Sequence, residues 1–146
     1  MKKMEKNENN KVDFDLLKDF LNKNDIFAAY IGGKIVEIAP GYAKAVMDLK
    51  ASHLNAAGVV QGGAIFTLAD FAFAGAGNSF GPRATAMNIS ITYMRPGTGT
   101  RLVAEAKEVS HGKRTCLFDV IVTDDQGRKV AKLMINGFLF EGESVI

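Results

Sequence analysis

The chain has 146 residues, of which 47% are apolar and 23% charged, with a net charge of +2. That length suits one domain with a substantial core, and the composition excludes a chain disordered throughout. So small a net charge, with no long run of like charges, argues against a dedicated nucleic-acid binder, although a single phosphate group could still be recognised. Cys116 is the sole cysteine, so there is no internal disulfide framework. His53, His111 and Cys116 are too scattered for a zinc site, and no metal is expected. The N-terminal MKKMEKNENNK has no apolar stretch behind its basic residues. No secretory signal is read there, and the expected location is the cytoplasm. The longest apolar stretch, Ala64 to Gly77, is interrupted by Asp70 and falls short of the ~20 residues that span a bilayer, so no membrane partner is expected.

Residues 1–12 are expected to form a disordered tail. From Asp13, the residues Phe14, Leu17, Phe20 and Leu21 recur at helical spacing, which predicts a short amphipathic helix over about 13–22 and a linker to 25. Its apolar stripe must lie on the domain or on a partner chain. Tyr30 to Ile38 reads as a strand broken at Gly32-Gly33, and Pro40-Gly41 as a turn. Ala43, Ala45, Met47 and Leu49 then alternate with outward positions, which is a half-buried strand. After the loop SHLNAAGVVQ, the stretch Gly62 to Phe80 is apolar almost all round. A helix of that kind is buried, and Gly81-Pro82 ends it. Four strand-like stretches follow, at about 84–94, 101–110, 114–123 and 129–140. The separators Pro96-Gly97, His111-Gly112 and Asp124–Gly127 are short enough for antiparallel neighbours. Residues 141–146 form a C-terminal tail. No strand-helix-strand repeat occurs, so a parallel doubly wound sheet does not fit. The fold class is α+β: an antiparallel sheet of five to six strands wrapped around one long helix at about 62–80, within a single domain over 26–140. One helix covers one face, so the other face or the sheet edge is expected to meet another subunit.

Asp70 stands in the buried helix among Leu68, Ala69, Phe71 and Ala72. Carboxylates are rarely buried without a partner. It is either a structural Asp bonded to an amide or a base, or a carboxylate kept in an apolar cleft as base or nucleophile. Gly62-Gly63 opens the same helix, where unpaired first-turn amides and the positive dipole end can hold developing negative charge. The alternative is that the two glycines only permit a tight loop-to-helix entry. Asn55 can orient a water or a carboxylate, or simply form a turn. His53 reads as structural or exposed, His111 as a solvated turn residue, and Cys116 as a small core residue.

The segment HLNAAGVVQGGAIFTLAD, residues 53–70, resembles the core motif of PaaI-like hotdog-fold acyl-CoA thioesterases, approximately H-x-N-x-x-G-x-x-H-G-G-x-x-x-x-L-x-D. The segment MNISITYMRPGTGTRLVAEAKEVSHGKRT, residues 87–115, resembles the strand pair that follows it, and the likeness covers roughly 26–140. The resemblance implies a curled antiparallel sheet around the long helix, dimers with a continuous sheet, and usually tetramers. It implies Asp70 as the catalytic carboxylate, Asn55 as the residue placing the water or thioester, and Gly63 with Gly62 as amides holding the thioester oxygen. Gln61 departs from the family's usual His; it can donate a hydrogen bond but cannot titrate. The Ser or Thr that some members use on the next strand has two candidates, Thr85 and Ser90. Geometry adds a constraint of its own. Gly62 and Asp70 lie eight residues apart on one helix, about 12 Å at 1.5 Å per residue, while a reacting carbonyl sits roughly 3 Å from both attacking group and oxyanion donors. One helix cannot serve one substrate with both, so a site using both is composite between chains.

The expected activity is therefore hydrolysis of acyl-CoA thioesters without a cofactor, in a homodimer or homotetramer. Arg95, Arg101, Lys113 and Arg114 are the cations available to the phosphates of CoA. Phe66, Phe71, Phe73 and Phe80 line the cleft or the core. The alternative is a non-catalytic module binding acyl-CoA or an acyl carrier. A hydratase would resemble a different motif, with an Asp-His pair in one segment, which is absent here.

Overall fold

The structure is a computed structural model and describes residues 2–3 and 11–146. In chain order it runs β1 (Lys2–Lys3), α1 (Phe14–Asn24), α2 (Ile26–Tyr30), β2 (Gly33–Ala39) and β3 (Tyr42–Asp48). A single 3₁₀ turn, Ala51–His53, leads to α3 (Gly62–Asn78). The strands β4 (Arg83–Tyr93), β5 (Arg101–His111), β6 (Thr115–Asp124), β7 (Lys129–Phe140) and β8 (Glu143–Ser144) complete the chain. Residues 1 and 4–10, most of the expected disordered tail, lie outside the described residues. Lys2–Lys3 pair antiparallel with Glu143–Ser144.

Six strands form one antiparallel sheet in the order β2-β3-β5-β6-β7-β4. Along β6, Cys116, Phe118, Val120 and Val122 turn inward, as period-two alternation requires. They meet α3, whose Leu68, Ala69, Ala72 and Ala76 are fully buried. The helix sits close on the sheet because Gly75 carries no side chain: a Cβ there would lie 2.8 Å from the Ala43 Cβ. The α+β reading, with one long helix inside the sheet, describes this architecture.

The sequence reading of Tyr30–Ile38 as one strand is corrected. Asp25 caps a second short helix, its Oδ1 accepting the Ala28 N–H at 2.9 Å, so Tyr30 is helical. The chain turns at Gly32, with φ +80°, before β2 begins at Gly33. Helix α3 stops at Asn78 rather than near Phe80. Asn78 there donates to the Ala74 carbonyl and accepts the Ala84 N–H, which directs the chain into β4.

The stripe on α1 lies on the domain, with Leu17 and Leu21 buried. Asn22 from this helix behaves like a strand residue at the edge of β2. Its amide donates to the Ile35 carbonyl and accepts the Ile35 N–H, both at 2.8 Å. One sheet edge is thereby covered, which is how natural sheets avoid unwanted pairing. The other edge, β4, has β7 as its one sheet neighbour and no pairing partner on its outer side among the described residues.

Candidate active site

The loop before α3 is built by Asn55. Its Oδ1 accepts the N–H groups of Ala57 and Val59 at 2.9 and 3.3 Å. The turn-forming role is therefore present, and the same residue also borders a cavity of about 470 Å³. Gly62, Ile65, Tyr93, Met94 and Arg95 line that cavity as well. His53 anchors the loop from below. It is buried, its Nδ1 accepts the Lys50 N–H at 3.0 Å, and its Nε2 stands 2.6 Å from the Ile31 carbonyl oxygen. Because Nδ1 accepts, the ring proton is on Nε2 and is donated to Ile31. His53 is thus structural.

The helix start differs from a bare amide nest. Gln61 is the N-cap of α3, and its side-chain oxygen accepts the Gly63 N–H. The Gly62 carbonyl accepts the Tyr93 hydroxyl at 2.9 Å. Tyr93 explains why position 62 is glycine, since a Cβ there would lie 2.8 Å from the Tyr93 Oη. The sequence reading passed over Tyr93 as one more strand residue. Its position at the end of a strand, two residues before Arg95, was the available signal.

Asp70 stands just over two turns further along α3, at a separate cavity of about 280 Å³ shared with Asp25, Phe73, Ala74, Ala84, Thr85 and Ala86. Burial first, and then the negative charge of Asp25, push the Asp70 carboxyl above its ordinary value. The two cavities have no lining residue in common. Since α3 is continuous from 62 to 78, the ~12 Å axial separation of Gly62 and Asp70 stands. Of the two candidate hydroxyls, Thr85 lies at the Asp70 cavity, with its Oγ1 accepting from Arg83 Nη1 at 3.3 Å; Ser90 does not line it.

The cations separate in the same way. Arg95 lines the Asn55 cavity. Arg101 is taken up by Asp48 at 2.7 Å. Lys113 and Arg114 are exposed in the β5–β6 turn. That turn sits at the far end of α3, where the His111 ring packs on Phe80 with centroids 4.2 Å apart, and neither residue lines either cavity. Phe71 and Phe73 are core residues, although Phe73 also borders the Asp70 cavity. Phe66 and Phe80 pack partly buried against the core. Cys116 is a buried free thiol, its pKa raised mainly by burial. Among the described residues, no group of three His, Cys, Asp or Glu side chains could hold a metal, and no helix is long and apolar enough to cross a membrane.

A long buried helix wrapped by one six-stranded antiparallel sheet is the hotdog architecture. Residues 57–131 match the family model of the thioesterase superfamily. A protein of Archaeoglobus fulgidus is 46% identical over 116 residues, covering 79% of this chain and 75% of the relative. The acyl-coenzyme A thioesterase PaaI of Escherichia coli is 37% identical over 123 residues, 84% of this chain and 83% of the relative. The solved structure of E. coli PaaI superposes with a TM-score of 0.81, covering 88% of this chain and 99% of that one. A thioesterase structure from Streptococcus pneumoniae with coenzyme A superposes at 0.77, with 29% identity over 88% of this chain and 98% of that one. The chain belongs to the thioesterase superfamily, as a PaaI-like hotdog thioesterase.

Proposed function

We propose that this protein hydrolyses acyl-CoA thioesters at a site assembled from two chains. The observation that carries the reading is the division of the functional groups. Asn55, the Gly62-Gly63 helix start and Arg95 serve one cavity region, and Asp70 with Thr85 serves another. Both ends of β4 take part, Thr85 at one cavity and Tyr93 at the other, and β4 is the open sheet edge. Antiparallel pairing of β4 with its copy about residue 89 would set the Thr85 end of one chain beside the Tyr93 end of its partner. The reactive groups would then converge at a two-fold interface. The PaaI relative named an acyl-CoA thioesterase and the neighbour with bound coenzyme A support this substrate class.

In this mechanism Arg95 meets a CoA phosphate, and the thioester oxygen displaces the Gln61 side chain from the Gly63 N–H. The freed amide stabilises the oxyanion. Asp70 of the other chain deprotonates a water that attacks the thioester carbon, or attacks it directly to give an anhydride that water then hydrolyses. In either course the tetrahedral intermediate collapses with cleavage of the C–S bond, and CoA leaves as the thiolate and takes up a proton. Asn55 places the thioester or the water. The acyl group lies against Phe73, Ala74, Ala84 and Ala86. Lys113 and Arg114, at the far end of α3, reach CoA only from a further subunit of a tetramer. A cytoplasmic location suits a chain whose one cysteine is a buried free thiol. A second reading, a binding module without turnover, is favoured by one observation: the Gly63 amide is already occupied by Gln61. Thiol release from a panel of acyl-CoAs decides between them. Hydrolysis that Asp70→Asn abolishes supports the enzyme, and tight binding with no thiol release supports the module.

A further inference from the structure

The carboxylate that faces Asp70 belongs to none of the groups so far given a role in turnover. Asp25 is set at the junction of α1 and α2, where its Oδ1 accepts the Ala28 N–H at 2.9 Å. That bond uses one carboxylate oxygen and fixes the side chain at the mouth of the Asp70 cavity. Among the described residues, Asp25 and Asp70 are the only charged ones lining it; the others are Phe73, Ala74, Ala84, Thr85 and Ala86. No Lys, Arg or His among the described residues lines the cavity. Arg83 of β4 binds Glu143 at 3.0 Å, Thr85 Oγ1 at 3.3 Å and the Phe140 ring at 3.6 Å from its centroid. On α1, Lys18 pairs with Asp15 at 3.1 Å, and Asp19 and Lys23 do not line the cavity. The charged residues of β2, β3, β5, β6 and β7 do not line the cavity, and α3 itself has no other charge.

We propose that Asp25 is a positioning residue for Asp70: held as the cap of α2, it keeps a second carboxylate at the same cavity and so makes Asp70 a stronger proton acceptor or nucleophile. The inference rests on the reading of Asp70 given above. A second carboxylate at a partly dry cavity disfavours ionisation of the Asp70 carboxyl, the arrangement by which buried acids are tuned toward neutral pH. The direction found for Asp70 agrees, with Asp25 the second contributor after burial. A purely structural Asp25 would matter only as a helix cap, and the two roles separate cleanly because Asn caps a helix as well as Asp does.

The test is Asp25→Asn in the full chain, with the Asp70 carboxyl titration followed by ¹³C NMR and assigned by its loss in Asp70→Asn. The variant should melt no lower than wild type, and slightly higher at pH 7 where the repulsion between the two carboxylates is relieved, while the Asp70 titration moves to lower pH. The acid limb of kcat/KM should move the same way, and plateau kcat should fall about 2- to 10-fold with KM nearly unchanged. Asp25→Glu, which restores the charge, should move the titration back toward wild type. An Asp70 titration unmoved in Asp25→Asn would overturn the proposal, whatever the turnover. Full activity in Asp70→Asn would instead overturn the reading of Asp70, so the two failures are distinct.

Discussion

An alanine at Gly62 would place its Cβ 2.8 Å from the Tyr93 Oη, 2.9 Å from Cζ and 3.3 Å from Cε1. The ring cannot bend away, so Tyr93 must rotate about its Cα–Cβ bond. Tyr93 is 50% exposed; water can receive it, and the fold should survive. The rotation breaks the 2.9 Å hydrogen bond to the Gly62 carbonyl, a net loss of about 0.5–1.5 kcal/mol. Alanine in place of glycine returns up to about 1 kcal/mol of helix propensity. The two nearly cancel, so Tm should move by no more than about 3 °C, given ~2–4 °C per kcal/mol for a chain of this size. The wall of the Asn55 cavity does move, and kcat/KM toward acyl-CoA should fall about tenfold or more, since misplacement by ~1 Å can cost about 10²-fold. Thiol release and thermal melts on the same preparation read both quantities. Tyr93→Ala removes the clash, so Gly62→Ala in that background should cost little further, a non-additivity expected of touching residues. Wild-type kcat/KM in Gly62→Ala, or strictly additive losses in the double variant, would refute the reasoning.

Gln61→Ala removes the cap of α3 and should cost about 0.5–2 kcal/mol in a thermal melt, while leaving the shape of the pH–rate profile unchanged because glutamine does not titrate; a limb lost with Gln61 would contradict this. Asn22→Ala breaks both bonds to Ile35 and should destabilise by about 1–3 kcal/mol, with concentration-dependent self-association by light scattering as the β2 edge opens. Asp70→Asn should raise Tm at pH 7. The Asp70 carboxyl titrates above its ordinary value in the fold, so its contribution to stability is present at low pH and lost as pH rises through the folded value. The Tm gain should therefore shrink in melts at pH 3–4; a Tm that falls at pH 7 would make Asp70 a structural residue.

The fold was largely legible because its two periods are clean. The all-round apolar run of α3 and the alternation along β6 each permit one element type, and a single buried helix among antiparallel strands leaves one packing. What the sequence hid depends on side chains meeting across long separations. The capping by Asp25 starts a short helix over residues that carried no assigned element, and it takes Tyr30 from the start of the expected strand into the last turn of α2. The cover of the β2 edge by Asn22 and the seat of Tyr93 over Gly62 span 13 and 31 residues, beyond any periodicity. At the candidate site, Asp70, Asn55, Gly62 and Gly63 were singled out by their motif and their chemistry. The division between two cavities was anticipated by helix rise alone. Thr85 could be separated from Ser90 only once β4 was seen to run past the Asp70 cavity, and Lys113 and Arg114 proved to lie beyond both cavities because their turn closes the opposite end of the helix.

The composite site is tested most directly by mixing two inactive chains. Asp70→Asn removes the carboxylate, and Gly63→Pro removes the oxyanion N–H without breaking an internal helix bond, since first-turn amides have none; thermal melts establish that both fold. In a dimer whose sites each draw Asp70 from one chain and Gly63 from the other, every mixed dimer regains one intact site. Random reassortment of co-expressed, differently tagged chains should then restore about one quarter of the wild-type rate of thiol release. Recovery to that level is the predicted result; a mixture no more active than its two parents, with mixed dimers present by tag capture, would contradict a site shared between chains.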